Sequence, residues 1–423
     1  MPLKNLWHLY NLTESPFFQQ DLQGTGRYPI DLFEGRDQEA TRLLNVIGGS
    51  ASSRQTVEGL SGFGKTTLTQ FVKARAAAGG YLSYPDPVSA AGADTADSLL
   101  VRLLSYVYDA VASQAGHPLS KEPVVDEARR LVLDTRVRDV KVAASVAGFG
   151  FDRDVSQRTE RAAFHSGLLT IPPLLRDLSA AARAHKFSGI VVHINNLENL
   201  VTDAERTRAG AVMRDLRDVF LIDGYHFVLV GTPEAVRSIV APHAQLRSVF
   251  GVARPLEPLG EDAFQRLLAR RYAHLRLAKG DVRPPVADEA ARAVYRIYRG
   301  DLRGTLRALD TGANELIGLT DPPGSPIELP ELMAVLAPML ATEAEATLSD
   351  TLLEYLFALR NVNGTFTQRE LIALWGLSQG TVSQNVKELQ RLGYVQEQRR
   401  EGRLVTYSLT GPSRIILGLM GES

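Results

Sequence analysis

The stretch GLSGFGKTT, Gly59 to Thr67, has the residue types and spacing of a phosphate-binding loop, G-x-x-x-x-G-K-[ST]. Gly62 and Gly64 let the backbone curl so that its N–H groups, with the N-terminus of a following helix, face the α- and β-phosphates of a nucleotide. Lys65 then reaches the β- and γ-phosphates, and the Thr66 hydroxyl is placed to ligate Mg²⁺. Gly59, Phe63 and Thr67 complete the loop. The competing reading is a glycine-rich turn that happens to hold a lysine, but the flanks match the phosphate loop. A short β-branched strand, RQTVEG at 54–59, precedes it, and a helix-period segment ending in a Gly pair, 65–80, follows. The expected cofactors are ATP or ADP with Mg²⁺.

A second stretch, VVHINNLENL at 191–200, ends a buried apolar run in amides. Nucleotide-hydrolysing sites of this type present an Asp to the Mg²⁺ shell from such a strand, followed by an acid that orients the attacking water. Here Asn195 and Asn196 stand at those positions, and Glu198 is the nearest carboxylate. An amide oxygen can still touch a Mg²⁺-bound water, so Asn195 joins Thr66 as a metal-shell candidate, but it carries no charge and takes no proton. Two readings stand: nucleotide is a slow switch or structural ligand with Glu198 supplying any catalysis, or the true acid lies elsewhere.

Other candidates surround these two. HFVLVGTPEAV ends at Gly231 and Thr232, where a hydroxyl beside the γ-phosphate can orient water, or merely end a strand. RGDLRGTLRAL puts Arg303 at a helix start, from which an arginine can fold over phosphates through charge-assisted bonds. Arg247 and Arg254 are candidates to act in trans on a neighbour's nucleotide if the chain forms a ring or filament, with Arg247 preferred. Arg36, with Glu39, lies at a helix start suited to the adenine or to an ordinary cap.

The elements that must position these groups alternate. Continuous apolar runs at 188–195 and 225–232 read as strands of a parallel sheet, with helical segments such as 170–186 between them, which predicts a three-layer α/β core over 1–258. VKVAASVAGFGFDRDV, around Gly148 and Gly150, reads as a β-hairpin insertion at about 139–155 or as a flexible Gly/Ala loop. After Pro255, helix-period segments punctuated by Gly and Pro-Pro predict a helical lid over 259–343.

A third pattern occupies 344–423: three helical segments and then YVQEQRREGRLVTYSLT, the order of a winged helix-turn-helix. In the third helix Val382, Val386 and Leu389 make an apolar stripe, leaving Gln379, Thr381, Ser383, Gln384 and Lys387 outward. Those are base- and phosphate-contacting types, and Ser378 is placed as the N-cap. Arg399, Arg400 and Arg403 bracket the hairpin turn and suit phosphate or minor-groove contact. A winged helix used only for protein contacts is the alternative.

The bulk composition narrows the classes. With 423 residues the chain can build several cores, and with no cysteine it has neither a disulfide framework nor a thiolate metal site. Its eight histidines show no close metal-ligand spacing. No apolar stretch approaches the ~18 residues of a membrane span and no leader pattern opens the sequence, so a cytoplasmic location is expected. A net charge of −1 supplies no global field to steer a polyanion, so any nucleic-acid contact must come from a local basic surface.

Together, GLSGFGKTT, the strand at 188–195, the Thr232 turn, GDLR at 300–303 and the terminal winged helix resemble AAA+ ATPases of the origin-recognition initiator clade, in order along most of the chain. The resemblance implies a core and lid that clamp ATP, phosphate-loop roles for Gly62, Gly64, Lys65 and Thr66, and sensor roles for Thr232 and Arg303. It also implies docking of the third helix and wing on duplex DNA. The sequence departs from the family at Asn195 and Asn196, where acids are usual, and the 139–155 insertion does not map onto it. The function expected first is a nucleotide-controlled DNA-binding switch, self-associating through the AAA+ domain, that recruits or positions other protein machinery. It could be initiator-like or serve a mobile element or defence module. The second is a signalling ATPase whose output is protein assembly; the amides disfavour a robust motor.

Overall fold

The computed structural model describes residues 5–22, 27–114, 116–133, 153–200, 202–251, 255–362, 364–401 and 404–419, with the backbone alone for 153–168 and 401. The chain divides into two compact units, one formed by Asp21–Gly59 and Lys65–Leu256, the other by Met1–Gln20, Leu60–Gly64 and Glu257–Ser423. Among the described residues no helix is long and apolar enough to cross a membrane.

The first unit is a parallel sheet with helices. Along the chain come α1 (Asp37–Gly48), β1 (Ser53–Glu58), α2 (Lys65–Ala78), β2 (Tyr81–Leu82), β3 (Val88–Ser89), α3 (Ala96–Ala112), α4 (123–133) and α5 (Arg153–Ala184). Then follow β4 (Gly189–Asn195), α6 (Asp203–Asp215), α7 (Arg217–Phe220), β5 (Tyr225–Gly231), α8 (Pro233–Val240) and α9 (Ala244–Val249). The sheet order is β1-β5-β4-β2, with β3 also on β4, and every pairing is parallel. The strands expected at 54–59, 188–195 and 225–232 are β1, β4 and β5. β4 and β5 are buried along their whole length, the reason they read as largely apolar runs, each holding one histidine. α3 packs Leu100, Leu103, Leu104 and Val107 into the core and is started by a capping box between Thr95 and Ser98. The helix expected at 170–186 begins much earlier, at Arg153, and carries Pro172 and Pro173 within it. Of the hairpin expected at about 139–155, residues 153–155 open this helix and the rest lies outside the described residues.

The second unit begins with a strap whose Tyr10, Leu12 and Phe17 are fully buried. The Arg271 guanidinium donates to the carbonyls of Pro16 and Phe18 at 3.1 and 2.7 Å and lies over the Phe18 ring. Four helices follow: α10 (Glu261–His274), α11 (Asp288–Ile297), α12 (Leu302–Leu316) and α13 (Leu329–Thr347). Next come α14 (Asp350–Ala358), β6 (Thr365–Thr367), α15 (Gln368–Trp375), α16 (Gln379–Arg391), β7 (Val395–Glu401), β8 (Leu404–Leu409) and α17 (Gly411–Ile416). This is a winged helix: three helices, with an antiparallel sheet in the order β6-β8-β7. The stripe Val382, Val386 and Leu389 is completely buried against Leu356, Phe366 and Leu371. β6 and α17 add to the expected helices and hairpin.

His193 breaks the apolar pattern of β4. It is fully buried, and neither ring nitrogen meets a hydrogen-bond partner among the described residues. Burial, reinforced by the Lys73 ammonium, holds its pKa well below the usual histidine value. The unfolded chain therefore takes up a proton near pH ~6.5 that the folded core refuses, and stability is lost as pH falls through that range. We expect His193→Leu to stabilise the fold by about 1–3 kcal/mol at pH 7 by removing unmet polar atoms, and by more at pH 5.5, as measured by chemical denaturation at both pH values.

Candidate functional site

The turn between β1 and α2 is built around glycine. The Glu58 carbonyl accepts from Leu256 N at 2.6 Å and Gly59 N donates to the Gly231 carbonyl at 3.3 Å, which pins the strand end. A Cβ on Gly59 would lie 3.2 Å from the Leu256 Cβ. Gly62 and Gly64 have φ of +78° and +80°, a region in which side chains are strained, so both positions require glycine. Lys65 opens α2, is 6% exposed, and its Nζ donates to the Gly59 carbonyl at 3.0 Å. Thr66 and Thr67 are half-buried in the first turn of α2, and Phe63 is buried.

The amides at the head of β4 differ in role. Asn196 has φ of 68°, a left-handed conformation that Asn adopts more readily than most residues, and its Nδ2 donates to Ser89 Oγ at 2.9 Å. Asn195 is 6% exposed and its Oδ1 has no hydrogen-bond partner among the described residues. That orphaned acceptor fits a Mg²⁺-bound water better than the ion itself, because it brings no charge. Glu198 lies in a 3₁₀ turn, Leu197–Asn199, and is exposed.

Thr232 is the N-cap of α8, its hydroxyl oxygen accepting from Ala235 N at 3.3 Å, which leaves its proton available. Arg36 is 5% exposed and pairs with Glu39 at 3.2 Å at the start of α1. Arg247 is exposed on α9 and donates to the Ala241 carbonyl, whereas Arg254 lies outside the described residues.

Within the other unit, Gly62 approaches the start of α12. Asp301 caps that helix, its carboxylate accepting from Gly304 N at 3.0 Å, and a Cβ on Gly62 would lie 1.7 Å from Asp301 Oδ1. Arg303 is the second residue of α12. Its side chain is exposed and its backbone N would be 3.4 Å from the same Cβ.

On the winged helix, Ser378 caps α16, its hydroxyl accepting from Thr381 N at 3.4 Å. Gln379, Thr381, Gln384 and Lys387 are exposed and Ser383 half-buried. A β-bulge between Glu397 and Arg399 interrupts the alternation of β7. Arg399 is exposed, but the Arg400 guanidinium is held by Glu397 through Nε at 2.9 Å and Nη2 at 2.7 Å. Arg403 lies outside the described residues.

Sequence reasoning missed Glu58, the residue before the loop, although an acid ending a β-branched strand was visible. Opposite Gly231 in register, it is pushed up to about 7 by burial, with Arg237 pulling the other way. A carboxyl whose folded pKa is raised contributes stability below its unfolded pKa, and that contribution is lost as pH rises through 7. Glu58→Gln should therefore raise the melting temperature at pH 8 and leave it nearly unchanged at pH 4.5, by differential scanning fluorimetry across that range.

No curated protein matches the chain. Among solved structures it is similar to the ORC2 protein of Aeropyrum pernix, an ADPNP–ADP complex, at 14% identity, covering 96% of each chain with a TM-score of 0.48. It is also similar to the ORC1 protein of the same organism in complex with DNA, at 14% identity, covering 98% of this chain and 96% of that one, TM-score 0.46. Drosophila ORC bound to DNA aligns at 14% identity over 99% of this chain and 93% of that one, TM-score 0.42. Residues 348–404, from the approach to α14 into the first residue of β8, match the MarR family.

Proposed function

We propose that this is an ATP-binding AAA+ protein that acts as a nucleotide-controlled, DNA-binding switch and recruits or positions other machinery on duplex DNA. The observation that carries the reading is the β1-to-α2 turn: two left-handed glycines followed by a buried lysine at the start of a helix. Backbone N–H groups at such a turn and the first turn of α2 bind phosphate oxygens, and Lys65 balances their charge. Thr66, with Asn195 through water, would hold Mg²⁺, which supplies charge neutralisation at the phosphates. Gly59, Phe63 and Thr67 shape the loop, Arg36 lies by the adenine, Thr232 and Arg303 sense the γ-phosphate, and Arg247 serves a neighbouring subunit. The working modules are a core over 1–258, a lid over 259–343 and a winged helix over 344–423.

Hydrolysis is slow in this reading, because Asn195 adds no charge to the metal shell and only Glu198 offers a carboxylate at the end of β4. Steady-state ATP turnover should be low for the wild type and higher for Asn195→Asp, and Lys65→Ala should abolish binding of nucleotide. An unchanged or lower rate for Asn195→Asp, with binding intact, would sink the catalytic part.

DNA contact is assigned to the exposed face of α16 and to the wing, where side chains can donate to phosphates and base edges. The second reading, a signalling ATPase whose winged helix meets protein, draws on the Glu397–Arg400 pair, which withdraws one wing cation. Fluorescence anisotropy with duplex DNA separates the two. We expect salt-sensitive binding weakened at least about tenfold by Lys387→Glu with Arg399→Glu, each lost phosphate contact reducing the salt slope by ~1. Nucleotide-dependent oligomerisation without duplex affinity would favour the second reading.

A further inference from the structure

We propose that the Asp301 carboxylate competes with nucleotide phosphates for the phosphate loop and so sets nucleotide affinity, most strongly for the triphosphate. The proposal rests on the nucleotide reading above.

Asp301 is a helix cap first. As the N-cap of α12 its Oδ1 accepts from Gly304 N at 3.0 Å, and its carbonyl accepts from the Thr305 N and Oγ1 at 2.9 and 2.7 Å. Capping alone, however, does not explain where the carboxylate sits. On one side, a Cβ on Gly62 would fall 1.7 Å from Oδ1 and 2.6 Å from Cγ, so the carboxylate lies directly against the α-carbon of a loop glycine. On the other, a Cβ on Gly304 would fall 2.6 Å from Oδ2. The carboxylate is seated between two glycines, neither of which could carry a side chain without displacing it. Glycine is an unfavourable choice for the first turn of a helix, and this seat, with the Tyr298 ring 2.7 Å from the same Gly304 position, accounts for it.

The charge of the seated group decides its effect. Successive backbone N–H groups around left-handed glycines such as Gly62 and Gly64 form a concavity that favours an anion. Asp301 brings a carboxylate to the Gly62 face of that loop. A phosphate bound to the same N–H groups meets either this charge or the work of moving it, and a triphosphate meets more repulsion than a diphosphate. Two like charges a few ångströms apart at a protein surface repel enough for about a tenfold or larger effect on affinity, reduced by salt.

Asp301→Asn separates charge from capping, because Asn caps helices as well as Asp does while carrying no charge. The full chain would be titrated with mant-ATP and mant-ADP in the presence of Mg²⁺, at low and at 0.5 M salt (~4 Å Debye length), beside Lys65→Ala. We expect Asp301→Asn to bind mant-ATP about tenfold tighter than wild type, to bind mant-ADP tighter by a smaller factor, and to lose most of the difference in high salt. Equal or weaker binding by a variant that melts at the wild-type temperature overturns the proposal while leaving the nucleotide reading in place. Should the Asn variant melt lower, Asp301→Ser, also a good cap, is judged by the same criterion. Binding by neither wild type nor Asp301→Asn overturns the nucleotide reading and the proposal together. Binding gained only on Asp301→Asn and lost again with Lys65→Ala supports both.

Discussion

Two neighbouring parallel strands, β4 and β5, are buried along their whole length, and the chain can present polar chemistry there only where they end. In open parallel sheets ligands sit outside the carboxyl ends of the strands for this reason. The pairing of β1 with β5 brings Glu58 level with Gly231, so Gly59, Thr232 and the amides of β4 emerge at the same edge of the sheet. The backbone bonds at Glu58 and Gly59 then hold the start of the loop in place, and Lys65 folds back onto it. A local turn thus inherits its precision from burial over a much longer range.

This dependence explains what could be read from sequence. The glycine-rich turn between β1 and α2, the buried runs of β4 and β5 and the apolar stripe of α16 all announce themselves, since each is a long or chemically constrained pattern. β2 and β3, two residues each, carry no periodicity, and only their pairing with β4 makes them strands. The extent of α5 was obscured by Pro172 and Pro173, which argue for a break in any single-sequence reading. Glu58 and His193 were visible as residues, but their significance lies in desolvation, a property of the packed sheet. Asp301 is of a residue type that caps helices, and only the placement of Gly62 against it shows a further contact.

The two amides that interrupt the expected acidic pair have separate physical explanations. Asn196 sits in a left-handed turn, where a short polar side chain suits the backbone, and bonds to Ser89. At Asn195 the issue is charge. An aspartate as buried as this residue would need a bound cation or several donors to remain ionised, because isolated buried carboxylates are strongly disfavoured. An amide leaves only one unmet acceptor, which burial penalises far less. The strand can therefore close over its end without a bound cation, and in the proposed nucleotide site the same amide would weaken the electrostatic pull on a metal.

A parallel economy of charge marks the winged helix. Arg391 is paired with Glu388 and Arg400 with Glu397, so two of its cations are already neutralised within the chain. What α16 exposes at its N-terminal half is largely neutral: Gln379, Thr381 and Gln384, with Lys387 one turn further on. Neutral donors and acceptors contribute little to binding at a distance but discriminate among base edges on contact, whereas phosphate attraction is strong and indifferent to sequence. If α16 meets duplex DNA as proposed, a surface of this kind on a chain with a net charge of −1 favours selective over general adhesion.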